Sequence, residues 1–561
     1  MSQRTIFACA GAFFSAVLLC GICFYFVLHG RDSIARDEDT QELVFSDNAV
    51  GTTKIIEKVV SSAQLWRPVQ ERVRDTVVQI FAQVAESDQL QPYKTPAQGG
   101  TCGSGFFIDG DGHLLTNWHV IDQARAIWIQ IPSLGKRIID VEVVSVSPDR
   151  DIALLKVADE DLDFIRQELG SVPYLPLGNS DSLFRSDEVL ALGYPLGQQS
   201  LKSTSGIISG REHHLVQTSA PINQGNSGGP LINSRGEVVG INEANVPSAQ
   251  NVGYAIPIND VKIVLPDMYK MRLLRKPFLG VLFNNGSEAL AEFLGNPIPC
   301  GCYVVEVVSG STLDRAGVKS GDMIYEINGL KVDMFGEMGV PWMEDKISII
   351  DYVGRLSVGQ TIDIAFYRNG DRKQASIKFS HIELPAIRKT YPSYEDENDE
   401  VLDHEVFAGM VVRRLTANLI NSLGPQAPGL ARYTELKNQK EPVLVVTHIF
   451  PSSQLYRLRT LTVGSTLNEV NGVEVRTLAD LREALKKGLS KKFLTVRASD
   501  NVTRASDNIF VALPWVKILD EEPRLARDYR YPMTVMARDL ITIAKAQRAI
   551  EEGSNMPMRT A

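Results

Sequence analysis

The chain has 561 residues, which at roughly 100–200 residues per domain predicts about three or four domains. Apolar content of 44% and charged content of 22% are those of folded, water-soluble domains. A formal charge of -9 with no basic run argues against nucleic-acid binding. The six cysteines, Cys9, Cys20, Cys23, Cys102, Cys300 and Cys302, show neither paired spacing for a zinc site nor a disulfide framework. They read as small hydrophobes, and no metal or other cofactor is expected.

In chain order, Ile6 to Leu28 is uncharged and apolar, long enough to span a hydrocarbon core of ~30 Å. Arg4 precedes it, and Val27-Leu28-His29-Gly30 is a poor cleavage site. We read residues 6–28 as an uncleaved anchor in a lipid bilayer, with a cleaved signal peptide as the second reading and the body outside the cytoplasm in both. A polar linker follows. From Thr52, Ile55, Ile56, Val59, Val60 and Leu65 have helical spacing, which changes to strand near Thr76-Val77-Val78-Gln79-Ile80. From Gly99 to about Val264, short apolar runs alternate with glycine and turn residues, the pattern of β-barrels or a sandwich.

Two later units share weak internal similarity. Each opens on an aromatic-x-Gly-x stretch, Phe278-Leu279-Gly280-Val281 and Phe407-Ala408-Gly409-Met410. Each has a strand ending in Asn-Gly, at Asn328-Gly329 and Asn471-Gly472, and then a helical segment, 347–353 and 478–485. The acidic run 394–400 between them is a solvated linker. A helical pattern recurs at 535–550.

Three stretches carry chemistry. Thr116-Asn117-Trp118-His119-Val120 places a histidine after an apolar strand, whereas His113 follows a turn and His213-His214 lie in a polar connector. Asp151 opens the apolar strand Asp151-Ile152-Ala153-Leu154; Asp149 is its competitor, but Asp151 abuts the strand. Gly225-Asn226-Ser227-Gly228-Gly229-Pro230 surrounds a serine with glycines that permit a sharp turn. A serine hydroxyl needs a neighbouring imidazole, itself oriented by a carboxylate, to act as a nucleophile. The order His119, Asp151, Ser227 is that of a chymotrypsin-type triad. The backbone N–H groups of Gly225, Asn226 and Ser227 are the candidate oxyanion hole.

With these motifs, Leu192-Gly193-Tyr194-Pro195-Leu196-Gly197, Thr204-Ser205-Gly206-Ile207-Ile208-Ser209, Gly240-Ile241-Asn242 and Gly253-Tyr254-Ala255-Ile256-Pro257 make the segment from Thr76 to Pro257 resemble the HtrA/Deg family of serine proteases. The two later units resemble the PDZ domains of that family. The resemblance covers most of the chain beyond residue 65. It implies a mainly β fold: a chymotrypsin-like double β-barrel, two PDZ-like α+β domains and the N-terminal transmembrane helix. The expected organisation is an anchor (1–30), linker (31–64), protease domain (65–268), first PDZ-like domain (270–385), acidic linker (386–404), second, divergent PDZ-like domain (405–515) and tail (516–561).

The resemblance further implies ATP-independent endoproteolysis of unfolded or damaged proteins, assembly into homotrimers or larger oligomers, and, from the anchor and the family, a bacterial periplasm. By motif, His119 is the general base, Asp151 its orienter and Ser227 the nucleophile. The family's usual Asp is Ser219 here, and Glu243 replaces a small hydroxyl residue after Gly-Ile-Asn. The first PDZ-like unit has Ala316-Gly317-Val318-Lys319-Ser320-Gly321-Asp322, which fits the family; the second lacks that stretch.

Pro221 and Ile222, just before the nucleophile, with Ile241 and Asn242, are the expected substrate-pocket residues. The pocket has no acid at its floor, which predicts cleavage after small or medium apolar residues. Phe278, Leu279, Gly280 and Val281 are expected to hold the carboxylate of a C-terminal peptide added as a strand. Two other functions fit parts of the sequence: a chaperone or PDZ adaptor, and a regulated protease acting on one membrane or envelope substrate.

Overall fold

The computed structural model describes residues 62–245, 252–379, 402–435, 438–439, 441–503 and 506–554. The expected anchor, 6–28, and Ile55 to Val60 lie outside these. Among the described residues, no helix is long and apolar enough to cross a membrane. The chain divides at Pro68 into two units. Of the first, residues 62–68 are described, as the start of a helix Ser62–Val73; everything below concerns the second unit.

Six strands close the first barrel: β1 (Val77–Glu86), β2 (Ala97–Phe107), β3 (His113–Thr116), β4 (Ala124–Gln130), β5 (Ile139–Ser147) and β6 (Ile152–Val157). Six more close the second: β7 (Glu188–Gly193), β8 (Lys202–Glu212), β9 (Leu215–Thr218), β10 (Pro230–Asn233), β11 (Val238–Asn245) and β12 (Gly253–Pro257). Period-two alternation turns one face of each strand inward. Val78, Ile80, Phe107, Leu114, Ile129 and Leu155 fill the first barrel; Val189, Ala191, Val216, Leu231 and Val239 fill the second. Helix α1 (Ile258–Met268) closes this region.

The next unit is an antiparallel sheet in the order β13 (Val281–Asn284), β14 (Cys302–Val307), β15 (Met323–Ile327), β19 (Thr361–Arg368), β20 (Asp371–Lys378). The short strands β16 (Leu330–Lys331), β17 (Glu337–Met338) and β18 (Ile347–Ser348) and helix α2 (Ile349–Gly354) complete it. Ser348 caps α2 by accepting from the Asp351 N–H. Arg355, just beyond α2, joins this unit to the barrels through Asp181, at 2.7 Å, and Asp260, at 3.0 Å. Arg150 donates to the carbonyls of Gly354 and Leu356 at 3.0 and 3.2 Å.

The last unit repeats the plan with one more neighbour in its sheet: β21 (Glu405–Phe407), β22 (Met410–Arg414), β23 (Leu444–Ile449), β24 (Thr466–Val470), β26 (Phe493–Ser499), β27 (Ile509–Pro514), with β25 (Val473–Glu474) on β24. Helix α3 (Leu478–Gly488) begins at a capping box, Thr477 and Asp480, and lays Leu478, Leu481, Ala484 and Leu485 on the sheet. Of the expected tail, 516–561, the described residues to 554 are mostly helical. Helix α4 (Trp515–Asp528) and the helix Val535–Ser554 place Trp515, Ile518, Met536 and Leu540 in the same core as Leu481 and Val496. The β1–β2 connection also reaches this unit. Leu90 packs among Leu415, Leu419 and Leu430. The Tyr93 ring lies 5.6 Å from both Phe450 and Tyr531, and Arg413 donates to the Gln89 carbonyl at 2.6 Å.

Cys102 and Cys300 are half-buried free thiols and Cys302 a buried one.

Candidate active site

The two barrels bring His119, Asp151 and Ser227 into one cleft of about 270 Å³, lined also by Ile222, Asn223, Gln224 and Glu243. His119 sits in a single helical turn, Trp118–Ile121, directly after β3. Asp151 ends a 3-10 turn, Pro148–Arg150, in the left-handed region at φ 55°. Aspartate tolerates that conformation better than most side chains. The turn aims the carboxylate back at His119. Its Oδ1 accepts from the His119 backbone N–H at 2.9 Å, and its Oδ2 lies 2.7 Å from Nδ1. Asn117 locks the turn by donating to the Asp151 carbonyl at 3.0 Å. Asp149 points elsewhere and accepts from the Lys276 N–H at 3.1 Å.

This pairing assigns the Nδ1 proton and leaves Nε2 as the acceptor. Burial pulls the His119 pKa down, but the hydrogen bond and charge of Asp151, helped by Glu243, outweigh it and raise it above 6.5. Glu243 is shifted too: burial, then the charge of Asp151, push its carboxyl above 4.5.

The turn 225–229 is built on close backbone approaches. Gly225 has φ 99°, and a Cβ there would lie 2.3 Å from the Tyr194 carbonyl oxygen. Gly228 has φ 82°, and its Cβ would lie 2.2 Å from the Ser104 carbonyl oxygen. No other residue type fits either place. Ser104, which motif reading did not single out, organises the turn. Its hydroxyl donates to the Gly225 carbonyl at 2.7 Å and its N–H to the Ser227 carbonyl at 2.9 Å. The small residues around it, Gly103 and Gly105, were the available signal.

The Asn226 N–H is spent on the Asn223 carbonyl at 2.9 Å, so this expected oxyanion donor serves the turn instead. Among the described residues, the N–H groups of Gly225 and Ser227 have no intramolecular partner. The Ser227 hydroxyl donates to the Glu243 carbonyl at 2.8 Å rather than to His119.

The expected pocket residues separate. Ile222 lines the cleft. Pro221 is exposed, and its carbonyl accepts from the Thr204 hydroxyl at 2.8 Å. Ile241 and Asn242 are fully buried and do not line the cleft. Asn242 is a brace, donating to the carbonyls of Leu192 and Pro230 at 3.1 and 3.3 Å. Strand alternation turns its neighbour Glu243 to the cleft instead.

In the next unit, Phe278 is half-buried, Leu279 is buried and Val281 begins β13. Gly280 has φ 77°, with its carbonyl accepting from the Val308 N–H at 2.7 Å. Among the described residues, β13 has a neighbour, β14, on one side only.

Residues 103–241 match the Trypsin-like peptidase domain, and residues 277–379 match the PDZ domain. A "Probable periplasmic serine endoprotease DegP-like" of Hahella chejuensis (strain KCTC 2396) is 29% identical over 451 residues, 76% of this chain and 87% of that protein. The "Periplasmic serine endoprotease DegP" of Escherichia coli (strain K12) is 30% identical over 364 residues, 61% of this chain and 70% of that one. The solved structure "HtrA-type protease AlgW with decapeptide" is 26% identical, with a TM-score of 0.45, over 57% of this chain and 99% of the other. A histidine held by an aspartate beside a glycine-flanked serine, in a double barrel followed by a PDZ unit, has these relatives because the chain belongs to the HtrA/DegP family of serine endoproteases.

Proposed function

We propose that the chain is an extracytoplasmic, periplasmic protease that cuts unfolded or damaged polypeptides through His119, Asp151 and Ser227. The observation that carries this is the two-point hold of Asp151 on His119, in the cleft that also takes Ser227. The Ser227 hydroxyl turns from the Glu243 carbonyl to Nε2 of His119. It gives its proton to Nε2 as Oγ attacks the peptide carbonyl. The N–H groups of Gly225 and Ser227 receive the oxyanion, an interaction that is worth on the order of 10²–10³ in rate per donor. His119 then passes the proton to the leaving amine, and water hydrolyses the acyl-enzyme by the same route.

Ile222 favours small or medium apolar residues at the cleaved position. Phe278 to Val281 and the edge of β13 take C-terminal peptides of substrates. Residues 6–28 tether the body to the bilayer, and the working form is a homotrimer or larger oligomer. A regulated protease with one envelope substrate is the second reading; the engagement of Ser227 by Glu243 favours it, because a resting nucleophile needs a signal. The test is hydrolysis of labelled casein by wild type and Ser227→Ala. Wild type should degrade it and the variant should not; cleavage retained by Ser227→Ala would overturn the assignment.

A further inference from the structure

The two PDZ-like units are equivalent at their opening loops. Gly280 and Gly409 have φ 77° and 79°. A Cβ would strike Ser311 in the first and Ser453 in the second. The Gly280 carbonyl accepts from the Val308 N–H, and the Gly409 carbonyl from the Phe450 N–H, at 2.7 and 2.9 Å. Each loop leads into a strand, β13 or β22, that has a helix, α2 or α3, later in its unit.

The strands differ in their neighbours. β13 stands at the edge of its sheet, but β22 is paired on both sides. Its second partner is β21, antiparallel, with Glu405 opposite Val412 and Phe407 opposite Met410. β21 therefore runs in the direction of an added C-terminal peptide, ending at the loop. Helix α3 holds it from the other side. Arg482 donates to Asp403 at 2.6 Å, to the His404 carbonyl at 3.3 Å and to Glu405 at 2.9 Å. Phe407 is buried in the same core as Leu481 and Leu485, its ring 5.8 Å from that of Trp515.

A peptide's terminal carboxylate would seek the loop N–H groups. In the second unit the Ala408 N–H donates to Oε2 of Glu522 at 3.1 Å. Glu522 comes from α4, is fully buried, and its Oε1 accepts from the Tyr531 hydroxyl at 2.8 Å.

We propose that the second PDZ-like unit is liganded in cis: Asp403–Phe407 occupies the strand-addition site between β22 and α3, and the Glu522 carboxyl occupies the loop N–H where a peptide's terminal carboxylate would sit. The occupant is joined to its site by a two-residue turn, so its effective concentration is millimolar or higher. With a micromolar intrinsic affinity for the tethered strand, that competition weakens any free peptide on the order of a thousandfold. This rests on the reading of the first unit as the peptide-binding one.

Hydrogen exchange on the full chain carrying Ser227→Ala tests it. The probe is a set of decapeptides ending in free Phe, Val, Leu or Tyr. Without peptide, amides in 403–414 should exchange about a hundredfold or more slower than an unstructured chain. With peptide they should stay unchanged, while 278–284 slows about tenfold or more. Free exchange at 403–414, or added protection there with peptide, overturns the proposal. If 278–284 does not respond while 403–414 stays protected and unchanged, cis occupancy holds and the peptide-binding reading of the first unit fails. Glu522→Ala should speed exchange at 403–414 about tenfold; no change would remove Glu522 from the arrangement.

Discussion

Replacing Glu522 with Gln should remove a pH-dependent weakness from the second PDZ-like unit. Glu522 is fully buried on α4, with the Ala408 N–H and the Tyr531 hydroxyl as its hydrogen-bond donors. Neither donor carries a charge, and the neighbouring Glu521 and Glu405 oppose ionisation. Burial first, then those charges, push its carboxyl from 4.5 to about 8. Each pKa unit is ~1.4 kcal/mol, so ionising Glu522 inside the fold costs on the order of 5 kcal/mol. The native state binds this proton more tightly than the unfolded chain does. Its contribution to stability is therefore complete below pH 4.5, falls as pH rises to about 8, and is flat above that.

Glutamine has the same shape, keeps an oxygen for the Ala408 N–H and never ionises. The two proteins should match to within about 1 kcal/mol at pH 5, and the variant should be several kcal/mol more stable at pH 8. The assay is scanning calorimetry between pH 5 and 9, with the second unit's transition assigned through Trp515 fluorescence. Parallel stability curves for the two proteins, or a variant less stable at pH 8, would refute the reasoning.

Two further outcomes are expected. Asp151→Asn should lower kcat on labelled casein by about 10⁴, and the acid limb of kcat/KM should move to lower pH, because the carboxylate that raises His119 is gone; an unmoved limb would contradict the pairing. Arg355→Ala should destabilise the joint between the barrels and the first PDZ unit by roughly 3–5 kcal/mol at pH 7, since it strips the ion-pair partner from the buried Asp260. Burial already pushes Asp260 to about 6, so protonation at pH 5 should return part of that loss; calorimetry at both pH values checks it.

The chemistry was legible because each part is local. Gly225 and Gly228 are required by contacts at 2.3 and 2.2 Å, and a requirement that strict leaves a mark in sequence. The barrels were legible through short apolar runs bounded by glycine and turn residues, as at Gly105-Phe106-Phe107-Ile108 before Asp109-Gly110. What escaped depends on pairings far apart in the chain. Asp403 and His404 fall in the expected acidic linker, 386–404, yet Arg482 donates to Asp403 at 2.6 Å, and the strand that follows, Glu405–Phe407, pairs with β22. Glu521-Glu522-Pro523-Arg524 is a charged stretch in the expected tail, 516–561, yet Glu522 is buried. Asn242 looked like a pocket residue because motif position does not reveal which way a strand residue faces; Glu243 is the one that lines the cleft.

The β1–β2 connection has a history as well as a place. Gln89 and Arg413 are 324 positions apart. At roughly 5–20 residues per second, ribosomal synthesis leaves on the order of 15–65 s between the emergence of the two. Throughout that interval Leu90 and Tyr93 have left the ribosome without the surfaces they later cover. The first barrel therefore folds with this loop uncovered, and a unit synthesised later completes it.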